Sequence, residues 1–364
     1  MSPGWRADAG WTGHWDLPEL VRAPISERHR GALVALAEAG MGPRKLADAL
    51  RGAERWDDVT GEFASRSQTA LRGLRRIGAR ALVPSDEEYP DELTEIDAPP
   101  PLLFVRGESL GELRPAVALV GARACTVGAM RFAERLGATF AGAGLVVVSG
   151  LARGIDVAAH LGALGAGRTI AVLGTGIDVA YPPEHDDLAL RIASNGAVVT
   201  EFPPGVGPRA WHFPSRNRII SGLSIAVVVV EAGLRSGALI TAGFALDQGR
   251  EVFACTTGPE NPVGSGTREL LKDGARIIVD PEQALADVLD IARAHGFEGV
   301  GSASPTSLDG ELALVYAATA QPASSDDISA TTHLETKRVT TALAELELDG
   351  LVECVRGSWR RVER

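Results

Sequence analysis

Three segments of this 364-residue sequence combine glycine and arginine in an order that suits phosphate binding. The first, Gly121-Ala122-Arg123, closes an apolar run and precedes a helical pattern. Glycine lets the backbone come close to an anion, a helix start presents free N–H groups, and arginine offers a forked hydrogen-bond donor. The segment predicts a phosphate contact, while a tight strand–helix connection without a ligand is the alternative that fits the same residues.

The second segment, SGLARGID at residues 149–156, has the same layout. It follows the apolar run LVVV and opens a helical pattern, so the two glycine-bearing turns should meet at the carboxyl ends of neighbouring strands. Open α/β sheets bind their ligands at such places. The candidate contacts of this segment are Ser149, Gly150 and Arg153.

Asp156 and His160 lie four residues apart, and therefore on one face of the predicted helix. Two roles fit this pair: acid–base chemistry, or a structural pair that holds the first helical turn. The structural role is favoured, because no nucleophile, base and orienting residue follow a recognisable arrangement in the sequence.

The third segment is FPSRNR at residues 213–218. Arginine and asparagine suit phosphates and base edges, and phenylalanine suits base stacking. An arginine pair that only ties neighbouring elements together is the alternative. Nearby, Glu231 ends another apolar run and fits either a ligand contact or an ion pair with one of the two arginines. The candidate residues are Phe213, Arg216, Asn217, Arg218 and, at the next predicted helix start, Ser236 and Gly237.

Other kinds of site have no sequence support. Cys125, Cys255 and Cys354 are far apart and form no C-x-x-C motif, which argues against a zinc site or a disulfide framework. None of the three lysines lies in a P-loop motif. We therefore expect a protein that is not an enzyme and that needs no metal and no cofactor.

The longest apolar run, residues 223–230, is far shorter than the roughly 18 residues that a membrane span needs. The first residues of the sequence include no apolar signal region. Together these features predict a cytoplasmic protein that makes no use of a membrane.

Apolar runs alternate with helical patterns over residues 84–295, and this order predicts the elements that position the three segments. The runs are continuously apolar, so the strands should be buried on both faces. The predicted fold class is α/β, with a Rossmann-like, doubly wound, mostly parallel sheet. Residues 1–83 predict a small helical domain, residues 296–310 a linker, and residues 311–364 a winged-helix domain of three helices and a hairpin.

The formal net charge of −11 argues at first against a nucleic-acid binder. However, residues 84–113 carry a net charge of −8 and residues 281–350 a net charge of −9, so the rest of the chain is positive. Residues 202–230 contain three arginines and no acid. The predicted crevice is therefore basic, and the acidity belongs to a connector and to the C-terminal part.

SGLARGID and FPSRNRIISGLS in one chain resemble the DprA (Smf) family, the DNA-processing proteins of bacterial transformation. The resemblance runs in family order over about residues 84–280 and includes ALVGAR, TIAVLGTGIDVAYP, TEFPPG and VVVVEAGLRSGALITAGFAL. Residues 308–364 are similar to the winged-helix domain of many members. The N-terminal helices fit the family's small helical domain, of the SAM or helix-hairpin-helix type, only loosely.

The resemblance implies binding and protection of single-stranded DNA, loading of the RecA recombinase onto it, and a homodimer built through the Rossmann-like domain. It also implies that the residues of the three segments hold DNA. One departure is Ala122, which stands where the family has serine and so removes a hydroxyl contact.

Two other hypotheses remain from the sequence. One is a nucleotide-sensing or nucleotide-cleaving Rossmann-like protein, since relatives of this fold bind small nucleotides. The other is a winged helix that reads duplex DNA. Its recognition helix would be residues 335–350, where two cations face four acids, so that a protein contact is favoured there.

Overall fold

The computed structural model describes residues 19–256, 262–301, 311–348, 352–355 and 357–361. They belong to two compact units, one that ends at Val300 and one that begins at Gly301. Most of the predicted linker lies outside the described residues.

The first unit contains a nine-stranded sheet and twelve α-helices within the described residues. The strands are β1 Ala79–Leu82, β2 Leu103–Gly107, β3 Ala116–Val120, β4 Val146–Ser149, β5 Thr169–Val172, β6 Gly196–Thr200, β7 Ala226–Val229, β8 Glu251–Cys255 and β9 Arg276–Ile278. The helices are α1 Glu27–Glu38, α2 Pro43–Arg51, α3 Trp56–Thr60, α4 Ser67–Arg76, α5 Asp91–Thr94, α6 Val127–Gly142, α7 Ile155–Ala166, α8 Asp186–Ser194, α9 His212–Gly222, α10 Gly237–Asp247, α11 Ser265–Lys272 and α12 Pro281–Ala294.

The strand order is β1-β2-β6-β5-β4-β3-β7-β8-β9, and strands β3 to β9 all run parallel. Strand β2 is antiparallel to both of its neighbours. The chain moves outward from β3 to β6 and then returns to place β7 on the other side of β3. Because the direction of strand addition reverses between β3 and β7, the carboxyl ends of these two neighbouring strands mark the switch point of the sheet. The prediction of a Rossmann-like, mostly parallel sheet is confirmed.

Both faces of the central strands are covered, which explains their continuous apolar sequences. Val117 and Leu119 of β3 pack with Leu136 and Phe140 of α6 on one face. On the other face, Ala118 and Val120 of the same strand pack in a cluster that includes residues of α9 and α10. A strand between two such layers has no polar face, so every residue of β3 is buried.

The N-terminal region is helical as predicted, with one difference. Strand β1 falls inside the stretch predicted as a helical domain and pairs with β2 of the large sheet. The helices also share a core with the sheet, since Leu33 of α1 and Phe104 of β2 belong to one buried cluster. Strand β1 could not be predicted from the sequence, because a four-residue edge strand is too short to show a period.

The second unit contains α13 Glu311–Ala318, α14 Ser325–Thr332, α15 Thr336–Leu348 and the hairpin of β10 Val352–Val355 with β11 Ser358–Arg361. Its buried core includes Val315 of α13, Ile328 of α14, Leu343 of α15 and Val352 of the hairpin, so every element contributes to it. Three helices and a two-stranded wing are the arrangement that the sequence predicts.

Candidate functional site

A cavity of about 800 Å³ opens at the carboxyl ends of β3 and β7, at the switch point of the sheet. We call it the switch-point cavity. Its lining comes from the loop after β3, the start of α7, helix α9 and the loop after β7. The residues used below are Gly121, Ala122, Arg123, Asp156, Tyr181, Arg209, Phe213, Arg216, Asn217, Arg235, Ser236 and Gly237.

The loop after β3 runs very close to its neighbours. A Cβ atom on Gly121 would lie 2.5 Å from the Ile155 side chain and 2.9 Å from the Glu231 carbonyl oxygen, so only glycine fits there. The next residue, Ala122, donates its N–H to that same carbonyl oxygen at 2.7 Å. These contacts fix the loop and leave the following side chain, Arg123, exposed at the mouth of the cavity.

Arg123 and two aromatic rings form one wall of the cavity. The guanidinium carbon of Arg123 lies 5.4 Å from the centre of the Phe213 ring. The Tyr181 ring belongs to the same wall, with its centre 5.4 Å from that of Phe213 and the two ring planes inclined by 39°. A half-buried phenylalanine beside an arginine can stack a base while the cation holds the adjoining phosphate.

Arg216 forms the floor of the cavity and is almost fully buried. It donates hydrogen bonds to the carbonyl oxygens of Gly150, at 2.8 Å, and Val172. A Cβ atom at position 150 would lie 2.5 Å from this guanidinium, which explains the glycine there. Burial lowers the pKa of Arg216 to about 10, so the group still carries its charge at neutral pH.

Asp156 is the anionic neighbour of Arg216. Its carboxylate accepts hydrogen bonds from the N–H groups of Gly150, at 3.2 Å, and Ala152, at 3.3 Å. Burial raises the pKa of Asp156, and the attraction of Arg216 works in the opposite direction. The residue therefore holds the loop after β4 in place and partly balances the charge of the floor.

The predicted Asp156–His160 pair has no hydrogen bond of its own within the described residues. The His160 Nδ1 atom is 2.8 Å from the Thr169 hydroxyl, whose single proton goes to the Val147 carbonyl oxygen at 2.6 Å. His160 must therefore donate from Nδ1. The Nε2 atom of His160 is buried and has no hydrogen-bond partner in the described part of the chain. Burial lowers the pKa of His160 to about 3. The two residues have separate structural roles, and the geometry does not support acid–base chemistry.

Asn217 links α9 to the start of α10, because its side-chain amide donates to the Gly237 carbonyl oxygen at 3.1 Å. The Ser236 hydroxyl caps α10 by accepting the N–H of Ala238 at 3.3 Å. Gly237 is exposed to the cavity, so the N terminus of this eleven-residue helix faces the same space as Arg123. Helix N termini favour anions.

Glu231 holds Thr126, the N-cap residue of α6. Its carboxylate accepts the N–H of Thr126 at 2.7 Å and the hydroxyl of the same threonine at 3.1 Å, directly before α6. The sequence left two roles open for Glu231. A ligand contact has no support, because the carboxylate is buried and accepts from Thr126. The arginines of the alternative ion pair have other partners: Arg216 donates to carbonyl oxygens and Arg218 pairs with Glu201.

Four of the predicted site residues lie outside the cavity lining. Arg218 is fully buried and forms a two-point ion pair with Glu201 at 2.6 and 2.8 Å. The Ser149 hydroxyl donates to the Leu119 carbonyl oxygen at 2.6 Å, and Gly150 lies beneath Arg216. Arg153 is exposed but donates to Glu184 at 2.6 Å. Ser149 and Arg218 are therefore buried against protein groups, whereas Arg153 is exposed and its role as a DNA contact stays a prediction.

The structure adds Arg209 and Arg235, which the sequence did not single out. Both are exposed and line the cavity. Arg235 precedes the predicted contact Ser236 directly, so the sequence could have indicated it as a further contact. Arg209 follows a loop rich in glycine and proline that shows no pattern, and nothing in the sequence indicates it. Among the described residues, no carboxylate is within ion-pair distance of Arg123, Arg209 or Arg235. The only acid of the lining is Asp156, so the cavity is positive.

In the described ranges, no group of three histidine, cysteine or carboxylate residues has a geometry that could hold a metal ion. The same part of the chain includes no helix that is long and apolar enough to cross a membrane.

The sheet and its cavity define a Rossmann-like protein with a positively charged crevice, followed in sequence by a winged helix. The sequence matches the family model described as DNA recombination-mediator protein A over residues 80–289. A second model, the DprA winged helix domain, matches residues 302–358. The chain belongs to the DprA family.

Curated relatives cover most of the chain. Protein Smf of Escherichia coli is 39% identical over 292 residues, which are 78% of this chain and 78% of the relative. A putative DNA processing protein DprA of Mycobacterium tuberculosis is 35% identical over 357 residues and covers 92% of each chain. Protein Smf of Synechocystis is 37% identical over 307 residues, with 74% of this chain and 77% of the relative aligned.

Two solved structures are similar to the chain. DprA from Streptococcus pneumoniae matches with a TM-score of 0.60 and 33% identity, covering 73% of this chain and 99% of that one. DNA processing protein A from Helicobacter pylori matches with a TM-score of 0.54 and 28% identity, covering 58% of this chain and 96% of that one. The description of the latter structure reports a single-stranded DNA binding mode for that protein.

Proposed function

We propose that this protein binds single-stranded DNA in the switch-point cavity, protects it and loads the RecA recombinase onto it during natural transformation or recombination. It acts in the cytoplasm as a homodimer. The observation that carries the DNA-binding part is the group of three exposed arginines, Arg123, Arg209 and Arg235, around a cavity that has an aromatic wall. The family membership and the binding mode described for the Helicobacter pylori protein support the same ligand.

The cavity chemistry favours a single strand over a duplex. Phe213 lies in the wall beside Arg123, where a base can stack on its ring only if one face of that base is not covered by a neighbouring base. In a duplex, both faces of a base are covered by its neighbours, whereas the bases of a single strand can be splayed and stacked on protein rings. The exposed arginines then hold the phosphates on either side of the stacked base.

The other lining residues place these contacts. Gly121 and Ala122 bring the backbone to the phosphate path, and Ser236 and Gly237 bring the N terminus of α10 to it. Arg216 adds positive potential from the floor without leaving its carbonyl partners. Asn217 keeps α9 and α10 at the distance that the cavity needs.

A small nucleotide is the second candidate ligand. The cavity volume of about 800 Å³ falls within the range of small-molecule sites. A nucleotide-binding or nucleotide-cleaving protein would saturate with a mononucleotide and would show no further gain with oligonucleotide length. A hydrolysis assay on nucleoside triphosphates, run beside the DNA-binding assay, separates the two functions.

The first prediction concerns Arg123. We expect Arg123→Ala to weaken binding of a single-stranded oligonucleotide by about tenfold, because a charge-assisted contact to a phosphate is lost. Gel shift at low salt measures the change. The thermal unfolding midpoint should stay the same, since the side chain is exposed and forms no hydrogen bond or ion pair with the described residues.

The matched control is Arg76→Ala, which removes an exposed arginine of α4 outside the cavity lining. It should bind like the wild type. If Arg123→Ala binds DNA as well as this control does, the cavity is not the binding site. The same variants report on RecA loading, because a protein that cannot hold the strand should also fail to stimulate RecA-dependent ATP hydrolysis on it.

A further inference from the structure

A second cavity, of about 490 Å³, lies beside the switch-point cavity in the same compact unit. One side of it is the turn between α1 and α2, and the other side is the segment that joins β6 to α9. We call it the aromatic groove. Its lining includes Arg44, Lys45, Phe202, Arg209, Trp211 and His212.

Three rings form a ladder in the aromatic groove. The His212 ring stacks on Phe202 with centres 3.9 Å apart and planes inclined by 23°. Trp211 meets His212 edge-on, with centres 4.1 Å apart and planes at 83°. The Nδ1 atom of His212 is 3.0 Å from the Gly174 carbonyl oxygen, which holds the ladder against the end of the sheet.

Trp211 is the outermost ring, and 57% of its surface is exposed. An indole that is held in place by two neighbouring rings and still faces water is a ready surface for another flat ring. A flat ring that covers this exposed apolar surface would gain free energy by removing it from water.

The groove is also positive. Arg44, Lys45 and Arg209 are exposed, and among the described residues no carboxylate lies within ion-pair distance of them. The only acid of the lining, Glu201, is already bound to Arg218. An occupant should therefore carry negative charge as well as flat rings, and these are the two features of a nucleic-acid strand.

Arg209 lines both cavities. A strand that leaves the switch-point cavity beside Arg209 therefore meets a residue that also lines the aromatic groove. The two cavities therefore form a continuous positive path with an aromatic surface in each half: Phe213 in the first and Trp211 in the second.

We propose that the aromatic groove is a second base-binding subsite, in which Trp211 stacks a base of the same DNA strand while Arg44 and Lys45 hold its phosphates. This inference rests on the proposed function, because the strand must first occupy the switch-point cavity. It assigns the helical N-terminal region a direct part in holding DNA, through the two cations at the start of α2.

The test compares two lengths of oligothymidine, one of about 6 nucleotides and one of about 20 nucleotides, on the full-length protein. Trp211→Ala should weaken binding of the long strand by about tenfold and leave binding of the short strand within twofold. Trp211→Phe should keep most of the affinity, since a phenyl ring still stacks. Arg44→Ala with Lys45→Ala should act like Trp211→Ala and should also reduce the salt dependence of the long strand.

The matched control is Arg72→Ala with Arg76→Ala, which removes two exposed cations from α4 in the same helical region and away from the groove. This variant should bind both strands like the wild type. A second readout is photo-crosslinking of a strand that carries 5-iododeoxyuridine, with the attached peptide identified by mass spectrometry. Crosslinks to Trp211 support the subsite.

The outcomes separate the two claims. If Arg123→Ala weakens both strands while Trp211→Ala and the double α2 variant bind the long strand like the wild type, the second subsite is wrong and the proposed function stands. If the wild-type protein binds neither strand, the proposed function is wrong and the subsite is overturned with it. Loss of long-strand binding in the α4 control would show that overall charge, not the groove, sets the affinity, and would also overturn the subsite.

Discussion

Arg216 and Arg218 stand two residues apart on α9, and their side chains go to different places. Arg216 forms the floor of the switch-point cavity, whereas Arg218 is sealed against Glu201 and the Ala98 carbonyl oxygen. Residues two apart on a helix are separated by about 200° around its axis, so they cannot share a face. One arginine of the motif can therefore serve the ligand while the other serves the fold.

A stability measurement tests whether the Arg218–Glu201 ion pair serves the fold. We expect Glu201→Leu to lower the free energy of unfolding by about 3–5 kcal/mol, because it leaves the buried charge of Arg218 without its partner. Adding Arg218→Met should recover a large part of the loss, since the pair is then replaced by apolar side chains of similar size. Chemical denaturation of the two variants measures both effects. A double variant that is as unstable as Glu201→Leu alone would show that the ion pair is not the cause.

Helices α6 and α7 carry the two glycine-bearing loops of the site at their N termini, so the packing of the two helices sets the distance between the loops. Gly162 of α7 lies against the backbone of Glu134 in α6, and a Cβ atom there would overlap its carbonyl oxygen. Gly137 of α6 is in the same position against Ala159 of α7. The helices approach so closely because each presents a glycine to the other.

We expect Gly162→Ala to destabilise the protein by about 1–3 kcal/mol, because backbone atoms cannot move aside as a flexible side chain can. The matched control is Gly165→Ala on the same helix, where a Cβ atom would meet nothing within 4 Å. This control should be neutral or should stabilise the protein by about 0.5–1 kcal/mol, since alanine favours the helix. Equal stabilities of the two variants in urea denaturation would contradict the close packing of α6 and α7.

At the scale of the whole molecule, a chain with a net charge of −11 presents a positive path to its ligand. The four arginines of the switch-point cavity face one buried acid, and the aromatic groove adds two cations from α2. Field lines concentrate in a cleft that carries one sign of charge, so the local potential and not the net charge guides a polyanion.

The salt dependence of binding measures how many phosphates the cations of the two cavities contact. With three to five exposed cations in contact with phosphates, the logarithm of the binding constant should fall with the logarithm of salt concentration at a slope of about −2 to −3.5. Arg123→Ala should make the slope shallower by about 0.7. Fluorescence anisotropy at several salt concentrations gives both values. A slope near zero would mean that binding does not depend on phosphate contacts.

The sequence alone determined the parallel sheet, the winged helix and most of the cavity. Continuous apolar strands can only be buried on both faces, and glycine-bearing turns at their carboxyl ends must meet at one edge of the sheet. For that reason Gly121, Arg123, Phe213 and Gly237 were predicted together and do line one space.

Only the tertiary structure decided which polar residues face that space. The direction of a side chain depends on what packs around it, so the sequence could not separate Arg216 from Arg218 or give Asp156 and His160 their different partners. Contacts between segments far apart in the chain, such as Arg44 of α2 near Trp211 before α9, leave no local pattern. Folding brings them together because the N-terminal helices bury their apolar faces against the edge of the sheet.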